Sequence, residues 1–331
     1  MGTKVNEISD ERLLEVLEGA NDVVAVAARR AGIPRTTFRR RLAGLREQTK
    51  TARSVDELLE SKEKIFRNKA RMQSDIDMAF INFDSTKPIG ILHFGDPHID
   101  DDGCDILSLK RDISLVQGTD GLYAGNLGDT TNSWVGRLAR LYAEQTTTGA
   151  EAWQLAEWFI DELGEKLLYM VAGNHDLWNG HNDPMLWIMR HRKARYHGAG
   201  VRVSLNFPNG ESIRINAHHD WSGNSQYNPA HGAMKGAQLG FRDHLLLNGH
   251  KHVSGYGIVK CPSTGLVSHC VQVGSYKVID RYAQEKGFTN LQISPSVLTI
   301  IDPMASDAGL VTVFHDTEQG TKALKALRGK A

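Results

Sequence analysis

The sequence predicts a mixed α/β chain in two parts, a small all-α unit ahead of a larger α/β domain. Three observations predict it. Near the N-terminus, apolar residues recur at helical spacing around an Ala and Gly pair four residues apart. Beyond residue 87, five short apolar runs each end in a cluster of Asp, Asn or His. The length of 331 residues exceeds a usual single core, whereas a small helical unit and a domain of about 245 residues match ordinary domain sizes.

The first unit spans residues 1–50. Between Asp22 and Leu42, Ala28 lets two helices approach closely, Gly32 permits a tight turn, and Ile33, Phe38 and Leu42 give the second helix an apolar face. Leu13, Leu14 and Leu17 supply an earlier helix to complete a three-helix core. From Arg29 to Arg53 there are nine Lys or Arg (29, 30, 35, 39, 40, 41, 46, 50 and 53) against one acid, Glu47. The whole chain carries 39 basic and 39 acidic residues, so this charge is local. The arrangement resembles the helix-turn-helix units of bacterial and phage regulators and recombinases. It places Arg35, Thr36, Arg39 and Arg40 on the exposed face that enters a major groove, where Arg reads guanine or clamps phosphate. DNA is the expected partner. One such unit reads few bases, so strong sequence specificity calls for a dimer or a second contact.

Residues 51–86 read as a helical linker. Thr51 to about Gln73 is charged and opens with Ser54-x-x-Glu57, a capping box. Leu58, Leu59 and Phe66 are its few apolar anchors, which fits a spacer helix packing on the larger domain and gives too few heptads for a coiled coil.

The larger domain covers residues 87–331, and each of its strands is best justified by the polar cluster at its C-terminal end. Ile89 to Leu92 precedes Asp96-Pro97-His98. Leu122 to Ala124 precedes Gly128-Asp129. Leu167 to Val171 precedes Gly173-Asn174-His175-Asp176. Ile213 to Ala217 alternates with period two and delivers His218, and Leu245 to Leu247 delivers His250 and His252 after Gly249, which permits a sharp turn. Five strands thus bring their polar ends to one rim. Imidazoles and carboxylates in such number suit two divalent ions about 3.5–4 Å apart, with Asp129 as the bridging group. That donor set favours manganese, iron, zinc or nickel over calcium, with manganese the first expectation.

The ordered blocks resemble the calcineurin-like metallophosphoesterase superfamily, across about residues 88–315. The resemblance implies a four-layer α/β/β/α sandwich with two mixed sheets. It implies a first metal on Asp96, His98, Asp129 and His252, and a second on Asp129, Asn174, His218 and His250. It makes His175 the catalytic histidine that steadies the phosphate or protonates the leaving oxygen, and Asp176 the carboxylate that orients it. The implied chemistry is phosphoester hydrolysis by a metal-activated hydroxide. Two departures stand out. Thr130-Thr131-Asn132 puts an amide where the superfamily usually has a second carboxylate, and the Arg-Gly of the protein Ser/Thr phosphatases is replaced by Ser133-Trp134. A protein phosphatase is therefore not expected. The lone-histidine block is ambiguous, since His219 adjoins His218 and His231-Gly232 also fits; the alternating strand ending at His218 favours His218.

The remaining sequence is quieter. Val271 to Lys277 and Val311 to Phe314 read as late strands, and Thr321 to Arg328 as a basic terminal helix, with Lys277, Arg281 and Lys286 as candidate backbone contacts. Trp134, Trp178 and Trp221 each lie just past a metal block and read as walls of the cleft sooner than as base-stacking platforms; Trp153 and Trp158 read as core. Cys104, Cys261 and Cys270 lack paired or zinc-ribbon spacing, the N-terminus opens no apolar export segment, and no run has membrane length, all of which point to the cytoplasm, that of a bacterial host cell if the chain is phage-encoded. The expected function is a metal-dependent DNA nuclease targeted by its helix-turn-helix, in an order of modules that resembles bacteriophage or prophage proteins. A phosphatase or cyclic phosphodiesterase on small nucleotides is the second expectation. A DNA-binding regulator with an inert phosphoesterase domain is the third, and the filled ligand positions weigh against it.

Overall fold

The computed structural model describes residues 8–20, 24–48, 54–74, 78–178, 183–198, 200–287, 290–306 and 308–329. Met1 to Lys4, Asp22, Val23, Lys50, Thr51 and Arg53 lie outside the described residues, as do the side chains of Arg46, Glu47 and Arg281. The chain forms two compact units, Met1–Gln73 and Ser74–Ala331.

In the first unit, α1 (Asp10–Glu18), α2 (Val24–Arg30) and α3 (Arg35–Gln48) pack pairwise around Leu13, Leu17, Ala27, Ala28, Ile33, Phe38 and Leu42. Ser9 caps α1 by accepting from the Arg12 N–H at 3.2 Å. The α2–α3 turn closes because Gly32 adopts φ +66°, which lets the Ile33 N–H reach back to the Ala28 carbonyl at 3.2 Å. Leu14, expected in this core, is instead exposed: α1 buries Leu13 and Leu17, four residues apart, and turns Val16 partly onto its partners. Next, α4 (Val55–Ser74) begins at the expected capping box, with Glu57 and Ser54 exchanging backbone contacts at 2.8 and 3.1 Å.

The second unit runs β1 (Ala79–Asn82), β2 (Ile89–Phe94), α5 (Ile106–Gly118), β3 (Leu122–Asn126), α6 (Gly149–Leu163), β4 (Leu167–Val171), α7 (Asn174–Leu177), α8 (Pro184–Met189), β5 (Arg195–His197), β6 (Gly200–Asn206) and β7 (Ser212–His218). It continues with α9 (His231–Leu239), β8 (Leu245–Asn248), β9 (Gly255–Lys260), β10 (Val267–Gln272), α10 (Arg281–Lys286), β11 (Ser296–Ile301), β12 (Val311–Phe314) and α11 (Thr317–Gly329). One sheet has the order β12-β11-β2-β3-β4-β5 and the other β1-β6-β7-β8-β10-β9. Within them, β2, β3, β4 and β5 run parallel, as do β7, β8 and β10.

Residue parity separates the layers. Ile89 and Ile91 of β2 face the core between the sheets, together with Ile213 and Ile215 of β7 and Leu245 and Leu247 of β8. Leu92 and Phe94 point outward into a second core roofed by α5, α6 and α11. Leu246 points outward on the other side, under Ala233 and Ala237 of α9. The result is the expected four-layer α/β/β/α sandwich. Strands buried on both faces read as continuous apolar runs, which is why β2 and β8 are legible.

Two boundaries differ from expectation. Ala79–Asn82, placed in the linker, is the edge strand β1, paired in parallel with β6 and turning Ala79 and Ile81 toward the inter-sheet core. The strand expected at Val271 to Lys277 lies earlier, at Val267–Gln272, because β8 supplies a parallel partner only from Leu245 to Asn248. There the Gln272 side chain takes over, accepting from Asn248 Nδ2 at 2.6 Å and donating to the Gly249 carbonyl at 2.6 Å.

Candidate metal centre

β2, β3 and β4 of one sheet and β7 and β8 of the other deliver their C-terminal residues to one point on the rim. Asp129 Oδ2 lies 3.1 Å from His219 Nε2 and 3.9 Å from both His98 Nε2 and His175 Nε2. Asp96 stands 3.6 Å from His219 Nδ1 and 3.4 Å from His252 Nε2. His219 Nε2 is also 3.0 Å from Asn174 Oδ1 and 3.1 Å from His250 Nδ1. The structure therefore brings together Asp96, His98, Asp129, Asn174, His175, His250 and His252.

The backbone is forced into this arrangement. Among the described residues, the non-glycine positions with positive φ are Asp96, His98, Asp129, Ser133, His250 and His252. Five of these six are sequence-predicted ligands. The left-handed region costs about 1–3 kcal/mol for such residues, so it persists only where the surroundings impose it. Close packing imposes it here: a Cβ at Gly173 would fall on the Asp129 carboxylate, and one at Gly249 on that of Asp96.

Burial makes the charges costly. The Asp96 and Asp129 carboxylates and the His98 ring are at most 2% exposed. Burial pushes the Asp96 carboxyl well above its ordinary range, with His219 opposing and Asp129 adding to the push. Burial acts the same way on Asp129, but the imidazoles of His219, His175 and His98 outweigh it and hold that carboxyl below the usual range. His219 answers in kind: burial disfavours its cation, yet Asp129 and Asp96 push it up to about 10.

The donors fit divalent ions. Among the described residues, Asp96 Oδ1 and His98 Nε2 are buried without a hydrogen-bond partner, an unusual state for polar atoms in a folded protein. Donor atoms of His98, Asp129 and His175 lie within 4.8 Å of one another, and so do those of Asp129, His219 and His250. Asp129 belongs to both groups. Carboxylate and amide oxygens with imidazole nitrogens are donors for manganese, iron, zinc or nickel, without selecting among them.

Two expectations are corrected. The structure turns His219, not His218, into the cluster, and strand parity explains why. Ile213, Ile215 and Ala217 face the inter-sheet core, so His219 continues their face onto the rim, where its Nδ1 also meets the Leu127 carbonyl at 2.9 Å. His218 has the parity of Arg214 and Asn216, which bond Asp243 on the opposite face, and its ring packs 4.1 Å from that of Trp221. His231 stands at the start of α9. Asp176, in turn, does not steer the His175 ring: its carboxylate accepts the N–H groups of Thr130 (2.9 Å), Thr131 (3.2 Å) and Gly173 (2.9 Å), locking the Asp129 loop to the start of α7.

Asn132 holds the histidine rings instead. Its backbone carbonyl accepts from His175 Nδ1, and its side-chain oxygen meets His98 Nδ1 at 2.8 Å. Both rings are thereby set with Nε2 toward Asp129. The amide at 132 donates to Asp101 (2.8 Å) and Gln145 (3.1 Å), while its backbone N–H donates to Asp100 (2.8 Å). A carboxylate at 132 would have nothing to donate and would stand among acids. Asp100, Asp101 and Gln145 went unnoticed in the sequence, where only the unusual acidic run Asp100-Asp101-Asp102 marks them.

A cavity of about 680 Å³ adjoins the cluster, lined by His98, His175, Trp134, Leu138, Val253 and Leu291 among others. Trp134 and Trp178 close on the His175 ring, at 4.9 and 4.2 Å between centroids, so they are walls of the site. Lys277 also lines the cavity but is held by Asp101 (3.1 Å) and Asp280 (3.5 Å) over the Trp134 ring. Trp153 and Trp158 are only partly buried, against the outer core. In the first unit, Arg35, Thr36, Arg39 and Arg40 are all exposed on α3, whereas Arg41 is tied to Asp10 and Arg30 to the Gly19 carbonyl.

The site is thus that of a buried carboxylate–imidazole centre at the rim of a two-sheet sandwich. No protein-family profile and no curated protein sequence matches the chain. Among solved structures it is similar to the NAD nucleotidase NadN of Haemophilus influenzae (13% identity, 69% of this chain, 49% of that one, TM-score 0.35). It is also similar to the calcineurin-like phosphoesterase YfkN of Bacillus subtilis (12%, 74% and 97%, 0.35) and to GAP50 of the inner membrane complex of Plasmodium (9%, 73% and 95%, 0.35). The chain spans about half the length of NadN. Likeness at this level carries no functional weight, which rests on the chain's own residues. Among the described residues no helix is long and apolar enough to cross a membrane.

Proposed function

We propose that this chain is a dinuclear metal-dependent phosphodiesterase of the calcineurin-like kind that acts on nucleic acid, brought to DNA by its N-terminal three-helix unit. The observation that carries the reading is Asp129, a buried carboxylate shared by two groups of ligand-capable side chains, beside Asp96 Oδ1 and His98 Nε2, which are buried without a hydrogen bond among the described residues. In this reading Asp96, His98, Asp129 and His252 hold one ion, and Asp129, Asn174, His219 and His250 the other. Bound there, the pair supplies Lewis acidity and a hydroxide at neutral pH.

The protein's own groups do the rest. Asn132 fixes His175 with Nε2 facing the cleft, where it gives or takes a proton at the departing oxygen. Burial lowers the pKa of His175 while Asp129 raises it, so the proton it moves is held by two opposed influences of one site. Trp134 and Trp178 exclude water around the ring. The exposed Arg35, Arg39 and Arg40 attract phosphate, and tethering raises the local DNA concentration at the centre.

A second reading, a phosphatase or cyclic phosphodiesterase on small nucleotides, is favoured by the cavity: about 680 Å³ is within the range of pockets that enclose a single small ligand. One assay separates the two. Hydrolysis of duplex DNA, single-stranded DNA and bis-p-nitrophenyl phosphate is followed with Mn²⁺ at several salt concentrations, for the whole chain, for a chain lacking residues 1–50 and for His175→Ala. The nuclease reading expects DNA cleavage that salt weakens and truncation selectively removes, and loss of every activity in His175→Ala. Turnover of the small ester alone, indifferent to truncation, would replace it with the second reading.

A further inference from the structure

A neutral imidazole has one lone pair, so His98 offers Nε2 to an ion only while its proton sits on Nδ1. The contact that decides this is Asn132 Oδ1, 2.8 Å from Nδ1. It does so in one orientation of the amide alone. Turned over, Asn132 would present its NH2 to Nδ1, call for the lone pair there and send the proton to Nε2, where no acceptor stands among the described residues. Asn132 is fully buried, and nothing in its own structure chooses between the two orientations.

Its surroundings make the choice. Asn132 Nδ2 donates to Asp101 Oδ2 at 2.8 Å and to Gln145 Oε1 at 3.1 Å, so each of its two hydrogens has an acceptor. Asp101 is pinned as an acceptor, with the Gly103 N–H at 2.8 Å on Oδ1 and the Lys277 ammonium at 3.1 Å on Oδ2. Gln145 is an amide and could itself turn over, but its neighbours forbid that. Its Oε1 also accepts the Trp134 indole N–H at 3.1 Å, a group that only donates. Its Nε2 donates to Asp100 Oδ2 at 2.7 Å and to Thr147 Oγ1 at 3.0 Å, and Asp100 accepts the Asn132 backbone N–H as well. Donors and acceptors are thus assigned without a break from the Trp134 indole to the His98 ring.

We propose that Gln145 and Asp101 are positioning residues for the ion on Asp96, His98, Asp129 and His252, a role that rests on reading the rim as a metal centre. By holding the Asn132 amide one way round, they fix His98 as the Nδ1–H tautomer and leave Nε2 for the metal. Both act through Asn132. A turned amide would set its oxygen against the Asp101 carboxylate and the Gln145 carbonyl oxygen, so either residue alone resists the turn and the two back each other up. Gln145 also joins a wall of the cavity, Trp134, to a ligand of the centre.

The tautomer is read on the full chain, with isotope-labelled histidines and stripped of metal, by long-range proton–nitrogen NMR. His98 is assigned by the signals missing from His98→Asn. The unmodified chain, Gln145→Met and Asp101→Asn are each expected to carry the His98 proton on Nδ1. The double variant is expected to show both tautomers, because an amide at 101 can donate to a turned Asn132. His93, held between Tyr169 and Thr299 in the core, is the control whose signals a folding defect would move. Titration calorimetry with Mn²⁺ reads the consequence. The double variant should lose about 10–100-fold in affinity, more than the product of the two single losses, which independent structural damage would not give. A proton on Nε2 of His98 in the unmodified chain overturns the proposal without any variant. A folded double variant that keeps one tautomer, or that loses only the product of the single effects, overturns it equally. An unmodified chain that binds no Mn²⁺ overturns the metal reading itself, whereas Mn²⁺ binding that the double variant leaves unchanged overturns this inference alone.

Discussion

The rim of the sheets and the exposed side of α3 handle polar residues in opposite ways. At the rim, the Asp96 and Asp129 carboxylates and the His98 and His219 imidazoles are buried, five candidate ligands sit at positive φ, and glycines stand where any side chain would strike Asp96 or Asp129. On α3, Arg35, Thr36, Arg39 and Arg40 stand in water on an ordinary helix. The fold supplies the stabilisation that the rim consumes, whereas the α3 face needs only a core beneath it. A geometry held at such cost points to function by itself. Exposed charge does not, and must be judged by what it binds. Substitutions at the rim should accordingly act steeply, and those on α3 by degrees.

The steepest expected effect is at Asp129. Asp129→Ala removes the one group common to both ligand sets, so both ions are lost and turnover falls on the order of 10³-fold or more, as expected when several kcal/mol of metal-supplied stabilisation disappears. Metal content per chain, measured by elemental analysis, and thermal stability with and without Mn²⁺ give readouts independent of substrate. Mn²⁺ should stabilise the native chain, because an ion that binds only the folded form raises its stability, and should leave Asp129→Ala unmoved. Equal stabilisation of both proteins would count against a shared centre.

The neighbouring histidines sharpen the comparison within a single strand. His219→Ala should halve the metal content and lower turnover on the order of 10²-fold, while His218→Ala, which loses contact with Trp221 on the other face, keeps both ions and most of its activity. The reverse ranking would return the ligand to His218. Smaller again is Asn132→Ala. It frees the ring of His98 while keeping the backbone carbonyl that holds His175, and removes no predicted ligand; such supporting groups are typically worth about 10–100-fold in metal affinity or activity. Asn132→Asp is the more telling variant. If the donated bonds to Asp101 and Gln145 matter, a carboxylate at 132 fails to rescue; full rescue would show that only the acceptor on His98 counts.

Much of the fold and site is legible in the sequence because parallel strands buried on both faces read as apolar runs, and the residues just after such a run must lie at the rim. Asp96, Asp129, Asn174, His250 and His252 are found in this way. His218 is the exception, for a reason also present in the sequence: the histidine that enters the cluster shares the face of Ile213, Ile215 and Ala217, and that is His219. The edge strand β1 is hidden by its length of four residues beside charged neighbours, and the support from Asp100, Asp101 and Gln145 by sequence distance, since Gln145 reaches Asp100 across 45 positions at 2.7 Å. Asp176 misleads because it adjoins His175 in the chain without steering its ring, whereas the turn into α7 spends its carboxylate on backbone N–H groups.

The smallest expected effects fall on α3. If its exposed arginines neutralise phosphates, Arg39→Ala and Arg40→Ala should each weaken DNA binding alike for all sequences and shallow the slope of log affinity against log salt by about 1, without changing metal content or turnover of the small ester. Arg41→Ala is the internal control. Its guanidinium is already engaged by Asp10, so its loss should register in the stability of the three-helix core and leave the salt slope nearly as it was. Should all three substitutions shift the slope equally, the basic charge of α3 would act as a diffuse field and not as a face with defined contacts. Should none shift it, the helical unit would have no part in bringing DNA to the rim, and the cavity of about 680 Å³ beside Asp129 would become the better guide to the substrate.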